Sequence, residues 1–249
     1  MAEFRITGMH TGVPTHYCPG CSHGLIERLV MESIEELGIQ ERVIAVPGVG
    51  CAGLAAAYYN CDCHSPSHGR ALAVATGIKR VRPDNIVFTY QGDGDLASIG
   101  MMETIHAANR GEVLTTIMAN NAAYGMTGGQ ASPTTLLGQR TTTSQQGRTV
   151  KANGYPVHMS ELLSQLDGVY YIERVTVNTV PNIRKAKKAI KHAFQNQIEG
   201  KGFNFVEVLA SCPTTWGMSP VDAAKWIGTD MIREYPLGVF VDKDQGVQR

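Results

Sequence analysis

The sequence has no surplus of charge of either sign: 22 Lys and Arg balance 22 Asp and Glu in 249 residues. No net field therefore favours nucleic acid or an anionic membrane, both of which select for excess positive charge. Charged residues make up only 18% of the chain and hydrophobic residues 43%, which excludes a disordered chain and leaves ample material for a core. No stretch approaches the roughly 18 consecutive apolar residues of a membrane span, and MAEFRITGMHTGVPTHYCPGC lacks the apolar run of a signal peptide. A cytoplasmic protein is expected, without membrane or nucleic-acid partners. Internal repeats, low-complexity tracts and linkers are also missing, so residues 1–249 read as one domain.

The six cysteines stand out against these absences. In a reducing compartment disulfides are rare, and clustered cysteines are more often metal-binding or catalytic.

Helical and strand patterns alternate along the chain. His23 to Leu37, Ala71 to Val81, Ile99 to Asn109, Met159 to Leu166 and Ile183 to Gln197 carry helical spacing; Ser219-Pro220 opens a last helix with a serine cap and a first-turn proline. Arg42–Val46, Asn85–Tyr90, Val113–Met118, Val169–Val175 and Phe203–Leu209 read as buried strands. The basic helix is amphipathic, with Ile183, Ala186, Ala189, Ile190 and Phe194 on its apolar side and a lysine face expected in solvent. Between Ala122 and Pro156 runs a long Gly-, Thr-, Ser- and Gln-rich segment, a length usually reserved for functional or disordered loops.

Strands separated by helices predict an α/β fold, a mostly parallel sheet with helices on both faces. Ligands bind such sheets at the carboxyl ends of the strands. Gly48–Cys51, Gly92–Asp95, Asn120–Tyr124 and Ser211–Pro213 all follow candidate strands, so parallel strands would gather them at one end of the sheet.

GDGDLASIG does not fit a calcium loop: counting from Asp93, the fifth, sixth and twelfth positions hold Ala97, Ser98 and Thr104. It also lacks the P-loop and GxGxxG patterns. What remains is an Asp between glycines at a strand end ahead of a helix. Glycines admit backbone N–H groups to a phosphate, a helix N-terminus favours negative charge, and Asp93 can hold a bridging cation. Asn121, also after a strand, offers a second neutral oxygen. Either motif alone is as readily a turn.

GDG with this spacing to NN resembles the thiamine diphosphate and Mg²⁺ signature of thiamine-dependent enzymes. The wider run HGRALAVATGIKRVRPDNIVFTYQGDGDLASIGMMETIHAANRGE…NNAAYGMTGGQASPTT resembles the β subunit of 2-oxoacid:ferredoxin oxidoreductases, particularly the 2-oxoisovalerate (branched-chain) members, and the likeness extends from Tyr17 to Pro236. The resemblance implies that Asp93, the Asn121 side chain and the Ala123 carbonyl hold Mg²⁺. It places Gly92, Gly94, Asp95, Gly125 and Met126 along the diphosphate, with His68 and the turn Val49, Gly50, Cys51, Ala52 also touching the cofactor. Asp95 has an alternative role as a helix-capping carboxylate, and His68 as a helix-start histidine with local hydrogen bonds.

The pair in YCPGC, Cys18 and Cys21, is compatible alone with a thioredoxin-like couple, half a zinc site or half an iron–sulfur site. Cys51 and Cys212 sit at strand ends beside the proposed cofactor, and four thiolates suit zinc or a 4Fe–4S cluster. A redox-active cluster beside thiamine has chemical use where zinc has none, and the resemblance assigns Cys18, Cys21, Cys51 and Cys212 to one 4Fe–4S cluster. Cys61 and Cys63 of NCDCH match no such position and read as a packed or solvent-facing loop pair.

The implied reaction is oxidative decarboxylation of a 2-oxoacid with coenzyme A, giving CO₂ and an acyl-CoA and passing electrons to ferredoxin. No catalytic residue is assigned on this chain, because the activating Glu belongs to a pyrimidine-type domain for which there is no room. An α subunit carrying that domain is expected, with ferredoxin-like and γ subunits and an external ferredoxin. Ala52-Gly53-Leu54-Ala55-Ala56-Ala57, with no Lys or Arg before Arg70 to pair with a second carboxylate, favours an apolar branched substrate over 2-oxoglutarate; the same chemistry on 2-oxoglutarate or pyruvate is the alternative. Two other readings differ in class: a non-oxidative thiamine enzyme half, and a metal-binding scaffold without thiamine chemistry.

Overall fold

A computed structural model describes residues 5–248. Helix α1 (His23–Glu36) leads to β1 (Val43–Pro47), a 3₁₀ segment Cys51–Ala57 and the short β2 (Asp62–Cys63). Then come α2 (Ala71–Val81), β3 (Ile86–Gly92), a π-helical turn Asp95–Ile99, α3 (Met101–Asn109) and β4 (Leu114–Asn120). After the long connection follow α4 (Val150–Asn153), α5 (Met159–Leu163), β5 (Val169–Thr176), α6 (Val180–Ile198) and β6 (Phe203–Leu209). The chain closes with α7 (Pro213–Trp216), α8 (Pro220–Trp226), α9 (Ile232–Glu234), β7 (Gly238–Asp242) and β8 (Val247–Gln248).

The strands join one sheet in the order β2-β1-β3-β4-β6-β5-β7-β8. From β2 through β5 the pairings are parallel; β7 and β8 add antiparallel to the far edge. Alternate residues feed opposite layers, as the two-residue strand period requires. Phe88, Tyr90, Ile117, Val206 and Val208 face the layer containing α1 and α6, whereas Val87, Leu114, Met118, Phe203 and Phe205 face that containing α2 and α5. Phe194 of α6 meets Phe88 edge-on at 5.4 Å between ring centres. Burying each such side chain is worth roughly 1.5–3 kcal/mol.

Serine and threonine caps set two of the helix starts. Ser219 Oγ accepts the Asp222 N–H, with Pro220 in the first position, and Thr179 does the same for Asn182 at α6. The lysine face of α6 is not simply solvated: Lys187 pairs with Glu32 and Glu36 of α1, and Lys191 with Glu36, tying the two helices together. The helix expected from Ile99 starts instead at Met101, because the π-helical turn occupies Asp95–Ile99. Among the described residues no helix is long and apolar enough to cross a membrane.

The strands β1, β3, β4 and β6 are consecutive parallel neighbours. Their carboxyl ends therefore deliver the four segments singled out above to one end of the sheet.

Candidate functional site

A cleft of about 120 Å³ opens there. Val49–Ala52, His68, Gly92–Asp95, Asn121, Ala123, Gly125 and Met126 all line it. Tyr124 of the Asn120–Tyr124 segment joins them, as do His23 and Thr127, to which the sequence had given no site role. Two glycines are set by close approach. A Cβ on Gly48 would lie 2.4 Å from Asp95 Oδ2, and one on Gly94 would lie 2.3 Å from the Tyr124 ring.

Asp93, 1% exposed, forms the floor. Its Oδ2 accepts hydrogen bonds from Ser132 Oγ at 2.6 Å and from Thr134 Oγ1. Burial pushes its carboxyl up to about 6, against the pull of those hydroxyls and of backbone N–H groups. Asn121 lies opposite. With its amide oxygen turned inward, that oxygen sits 2.7 Å from the Ala123 carbonyl oxygen and 2.8 Å from Asp93 Oδ1, three acceptors facing one another. The reverse orientation places the NH₂ there and donates to both. A cation selects the first arrangement; its absence selects the second. One carboxylate, one amide and one carbonyl oxygen make a hard donor set that suits Mg²⁺ in a phosphate site, where substrate oxygens and water complete the shell.

The Asn121 turn is held from several sides. Ala122 adopts φ +55°, uncommon for a residue with a Cβ. Its N–H is taken by Asn120 Oδ1 at 3.1 Å, and its carbonyl by Thr135 Oγ1 at 2.7 Å and Gln139 Nε2 at 3.2 Å. Trp216 Nε1 donates to the Asn121 carbonyl at 3.1 Å.

Asp95 is not a helix cap. Its Oδ1 accepts the Gly69 and Val49 N–H groups at 2.8 and 3.3 Å and pairs with His68 Nδ1; its Oδ2 accepts Gln91 Nε2 at 2.6 Å. It thereby ties the β1 turn and the His-Gly-Arg turn to β3 and holds the His68 ring at the cleft wall.

The segment Ala122–Pro156 is ordered around Arg148. The buried guanidinium donates to six backbone carbonyls, those of Ser132, Pro133, Thr135, Asn153, Gly154 and Tyr155. The loop thus brings Ser132 and Thr134 to Asp93. The SPTT hydroxyl cluster hinted at this contact; no local signal marked Arg148.

Cys18, Cys21, Cys51 and Cys212 are all free thiols. Ser22 and Ser211 lock the CPGC loop to the turn after β6: their hydroxyls lie 2.8 Å apart, the Ser211 N–H donates to Ser22 Oγ, and Ser211 Oγ donates to the Gly20 carbonyl. Tyr17 reaches the other way, donating to the Cys51 carbonyl at 3.1 Å and bonding the buried Glu27. Burial and then the charges of Cys212, Cys51 and Cys18 push the Cys21 thiol up to about 12, and Cys51 is raised by burial and by Cys212 and Cys18. Among the described residues no three of these sulfurs lie within 4.8 Å of one another, whereas a tetrahedral zinc with Zn–S of about 2.3 Å would set them roughly 3.8 Å apart. A Cβ on Gly125 would lie 3.3 Å from both Cys212 Sγ and Asn121 Nδ2, so the cysteine group adjoins the cation turn.

A parallel sheet with a phosphate-compatible turn and an oxygen-lined cation position at its carboxyl end defines a nucleotide- or diphosphate-binding α/β protein. Residues 48–208 match the family described as thiamine pyrophosphate enzyme, C-terminal TPP binding domain. The ketoisovalerate oxidoreductase subunit VorA of Methanothermobacter marburgensis is 48% identical over 240 residues, 96% of this chain and 50% of its own length. The 2-oxoglutarate synthase subunit KorB of Methanocaldococcus jannaschii is 37% identical over 88% of this chain and 79% of its own. A solved 2-oxoglutarate:ferredoxin oxidoreductase from Magnetococcus marinus, with 2-oxoglutarate, coenzyme A and succinyl-CoA bound, superposes with a TM-score of 0.79 at 26% identity, over 94% of this chain and 83% of that one. The chain belongs to the thiamine pyrophosphate enzyme family and, within it, to the TPP-binding subunits of the 2-oxoacid:ferredoxin oxidoreductases. It spans about half the length of the ketoisovalerate relatives it matches.

Proposed function

We propose that the chain is the thiamine diphosphate-binding part of an enzyme that oxidatively decarboxylates a 2-oxoacid, 2-oxoisovalerate or a similar branched acid by preference, and yields CO₂ and an acyl-CoA. One observation carries the reading: the oxygens of Asp93, Asn121 and Ala123 converge in a cleft whose wall includes Cys51 of the four-cysteine group. In this reading those three oxygens hold Mg²⁺, while Gly92, Gly94, Asp95, Gly125 and Met126 line the diphosphate. Val49–Ala52 and His68 contact the rest of the cofactor. When bound, thiamine diphosphate supplies the carbanion-stabilising ring that makes decarboxylation of a 2-oxoacid feasible.

The chain's own residues bind and orient. Asp93 supplies negative charge from a dry floor, and Ser132 and Thr134 fix the direction of its second oxygen. Asp95 pins the turns that carry Val49 and His68. Cys18, Cys21, Cys51 and Cys212 would hold a 4Fe–4S cluster, a one-electron acceptor belonging at once to the cleft wall and to the surface-reaching CPGC loop. External ferredoxin would take the electrons from there, directly or through a ferredoxin-like subunit.

The substrate preference is supported by the cleft lining, which contains no Lys or Arg to meet a second carboxylate. Arg70, the first cation after the alanine run, is engaged by Glu103. The higher identity to ketoisovalerate than to 2-oxoglutarate relatives points the same way. An α subunit with the pyrimidine-type domain and the activating Glu, and a γ subunit, complete the cytoplasmic assembly in this reading; the chain alone turns over negligibly. The test is the metal, sulfide and thiamine content of the anaerobic complex, followed by kcat/KM for three 2-oxoacids. Zinc in place of iron with no thiamine would leave a metal-bound scaffold. A kcat/KM highest for 2-oxoglutarate would overturn the branched-chain preference alone.

A further inference from the structure

His23 has no task in the chemistry above, yet it borders the cleft. It is the first residue of α1 and only 5% exposed. Its ring is held on two sides: Tyr17 stacks on it with 5.2 Å between ring centres, and Tyr90 meets it edge-on at 5.6 Å. Nδ1 lies 2.5 Å from the Tyr90 hydroxyl. Nε2 has no hydrogen-bond partner among the described residues and is not sealed in the interior, which leaves the cleft for it to face.

The Tyr90 bond decides which nitrogen carries the proton. Tyr90 is fully buried, and His23 is the only partner of its hydroxyl among the described residues. Were Nδ1 the donor, the tyrosine O–H would be a buried donor without an acceptor, which is expensive to leave unmade. Tyr90 therefore donates to Nδ1, and the ring proton sits on Nε2. A ring this buried, with no carboxylate hydrogen-bonded to it, is neutral. The cleft thus receives one neutral N–H donor of fixed direction.

Its place differs from that of the cation oxygens. Asp93, Asn121 and Ala123 come from the turns after β3 and β4. His23 enters from α1, and Tyr17, stacked on it, donates to the carbonyl of Cys51 in the turn after β1. The cleft lining holds no Lys or Arg, so this chain offers no cation to the carboxylate that a 2-oxoacid loses as CO₂. A cation there would oppose the reaction. The carboxylate charge passes into carbon as CO₂ departs, so fixing it on oxygen stabilises the acid more than the transition state. A neutral N–H orients the same group with less of that penalty.

Resting on the 2-oxoacid reading above, we propose that His23 is a substrate-binding residue whose Nε2–H donates to the carboxylate that leaves as CO₂, with Tyr90 as its positioning residue.

The complex that co-purifies is loaded anaerobically with Mg²⁺ and 3-deazathiamine diphosphate, whose neutral ring forms no carbanion, so that 2-oxoisovalerate binds without reacting. Calorimetric titrations then compare 2-oxoisovalerate with 3-methyl-2-butanone, in which a methyl group replaces the carboxylate. His23→Phe keeps the ring stack and should weaken the acid roughly ten- to hundredfold. Its affinity for the ketone and the analogue, and its iron content, should match the unsubstituted complex. His23→Gln returns an N–H near the Nε2 position and should recover part of the loss. Tyr90→Phe frees the ring proton and should weaken the acid in the same direction, again with iron unchanged. Unchanged acid affinity in His23→Phe, or equal losses for acid and ketone, would overturn the proposal. Loss of analogue affinity with acid affinity intact would also overturn it, because the donor would then serve the diphosphate. An unsubstituted complex that takes up neither thiamine diphosphate nor the analogue would overturn the reading beneath the proposal, and the proposal with it.

Discussion

Glu207 and Asn120 meet inside the sheet: Asn120 Nδ2, at the end of β4, donates to Glu207 Oε1 of β6 at 2.8 Å. Glu207 is fully buried and its other oxygen takes Arg174 Nε at 2.8 Å and Ser160 Oγ at 2.6 Å. Asn120 in turn spends its own oxygen on the Ala122 N–H. A buried ion pair thus orients the amide that holds the left-handed Ala122 next to Asn121, the proposed cation ligand.

Asn120→Asp removes that donor and sets a second carboxylate against Glu207. Losing a buried hydrogen bond to a charged partner costs about 1.5–3 kcal/mol, so thermal unfolding should shift down while Mg²⁺-dependent thiamine diphosphate binding weakens. Glu207→Gln leaves Arg174 with only Glu161 as a carboxylate partner, and breaking buried pairs typically costs about 3–5 kcal/mol. Calorimetry of both variants and a cofactor titration of Asn120→Asp check the pair. Unchanged cofactor affinity in Asn120→Asp would remove its positioning role.

Arg148→Lys keeps the charge but cannot reproduce a planar donor set reaching six carbonyls. A stability loss of about 2–4 kcal/mol is expected, within the range for breaking a buried network. Limited proteolysis should then cut between Ala122 and Pro156, and Mg²⁺ should be lost more readily to a chelator because Ser132 and Thr134 ride on that loop.

Trp216 reports on the cation turn through its bond to the Asn121 carbonyl. Mg²⁺ with thiamine diphosphate should change its fluorescence in the assembled protein. Asp93→Asn should abolish the change, since the variant keeps the shape and removes the charge. A full response in that variant would sink the assignment of Asp93 to the cation.

Two carboxyls predict opposite pH slopes. Burial would raise Glu161, but hydrogen bonds from His158 and Arg174 and the Arg174 charge outweigh it and hold it near 2. A depressed carboxyl contributes stability that is present above its unfolded value near 4.5 and lost as pH falls toward 2. Burial raises Glu27 to about 8, opposed by the Tyr17 bond, so its contribution is complete below about 4.5 and is lost as pH rises through 8. Denaturant midpoints across pH should flatten on the acid side in Glu161→Gln and on the alkaline side in Glu27→Gln.

Much of the architecture was readable along the chain because the longer parallel strands are buried, mostly apolar or β-branched runs bounded by turn residues. Phe203–Leu209 and Ala71–Val81 lie where their patterns put them. The antiparallel β7 and β8 were not legible: strands of five and two residues show too little alternation, and only the edge of β5 gives them partners. β2 escaped for the same reason, so Cys61 and Cys63 were read as a loop pair although Cys63 lies on a strand.

For the site, sequence alone determined the chemical inventory: an Asp between glycines, paired asparagines, a Cys-Pro-Gly-Cys pair and two further cysteines after strands. Such residues announce themselves because their types and short-range spacing are already restricted by turn geometry and ligand chemistry. Only the tertiary structure decided how they are held. Arg148, Glu207, Gln91 and the Ser22–Ser211 lock act through hydrogen bonds that fall off within a few ångströms in space and carry no fixed spacing along the chain. Asp95 shows the difference best, since its partners Val49, Gly69 and Gln91 come from three separate segments that meet only when β1 and β3 lie side by side.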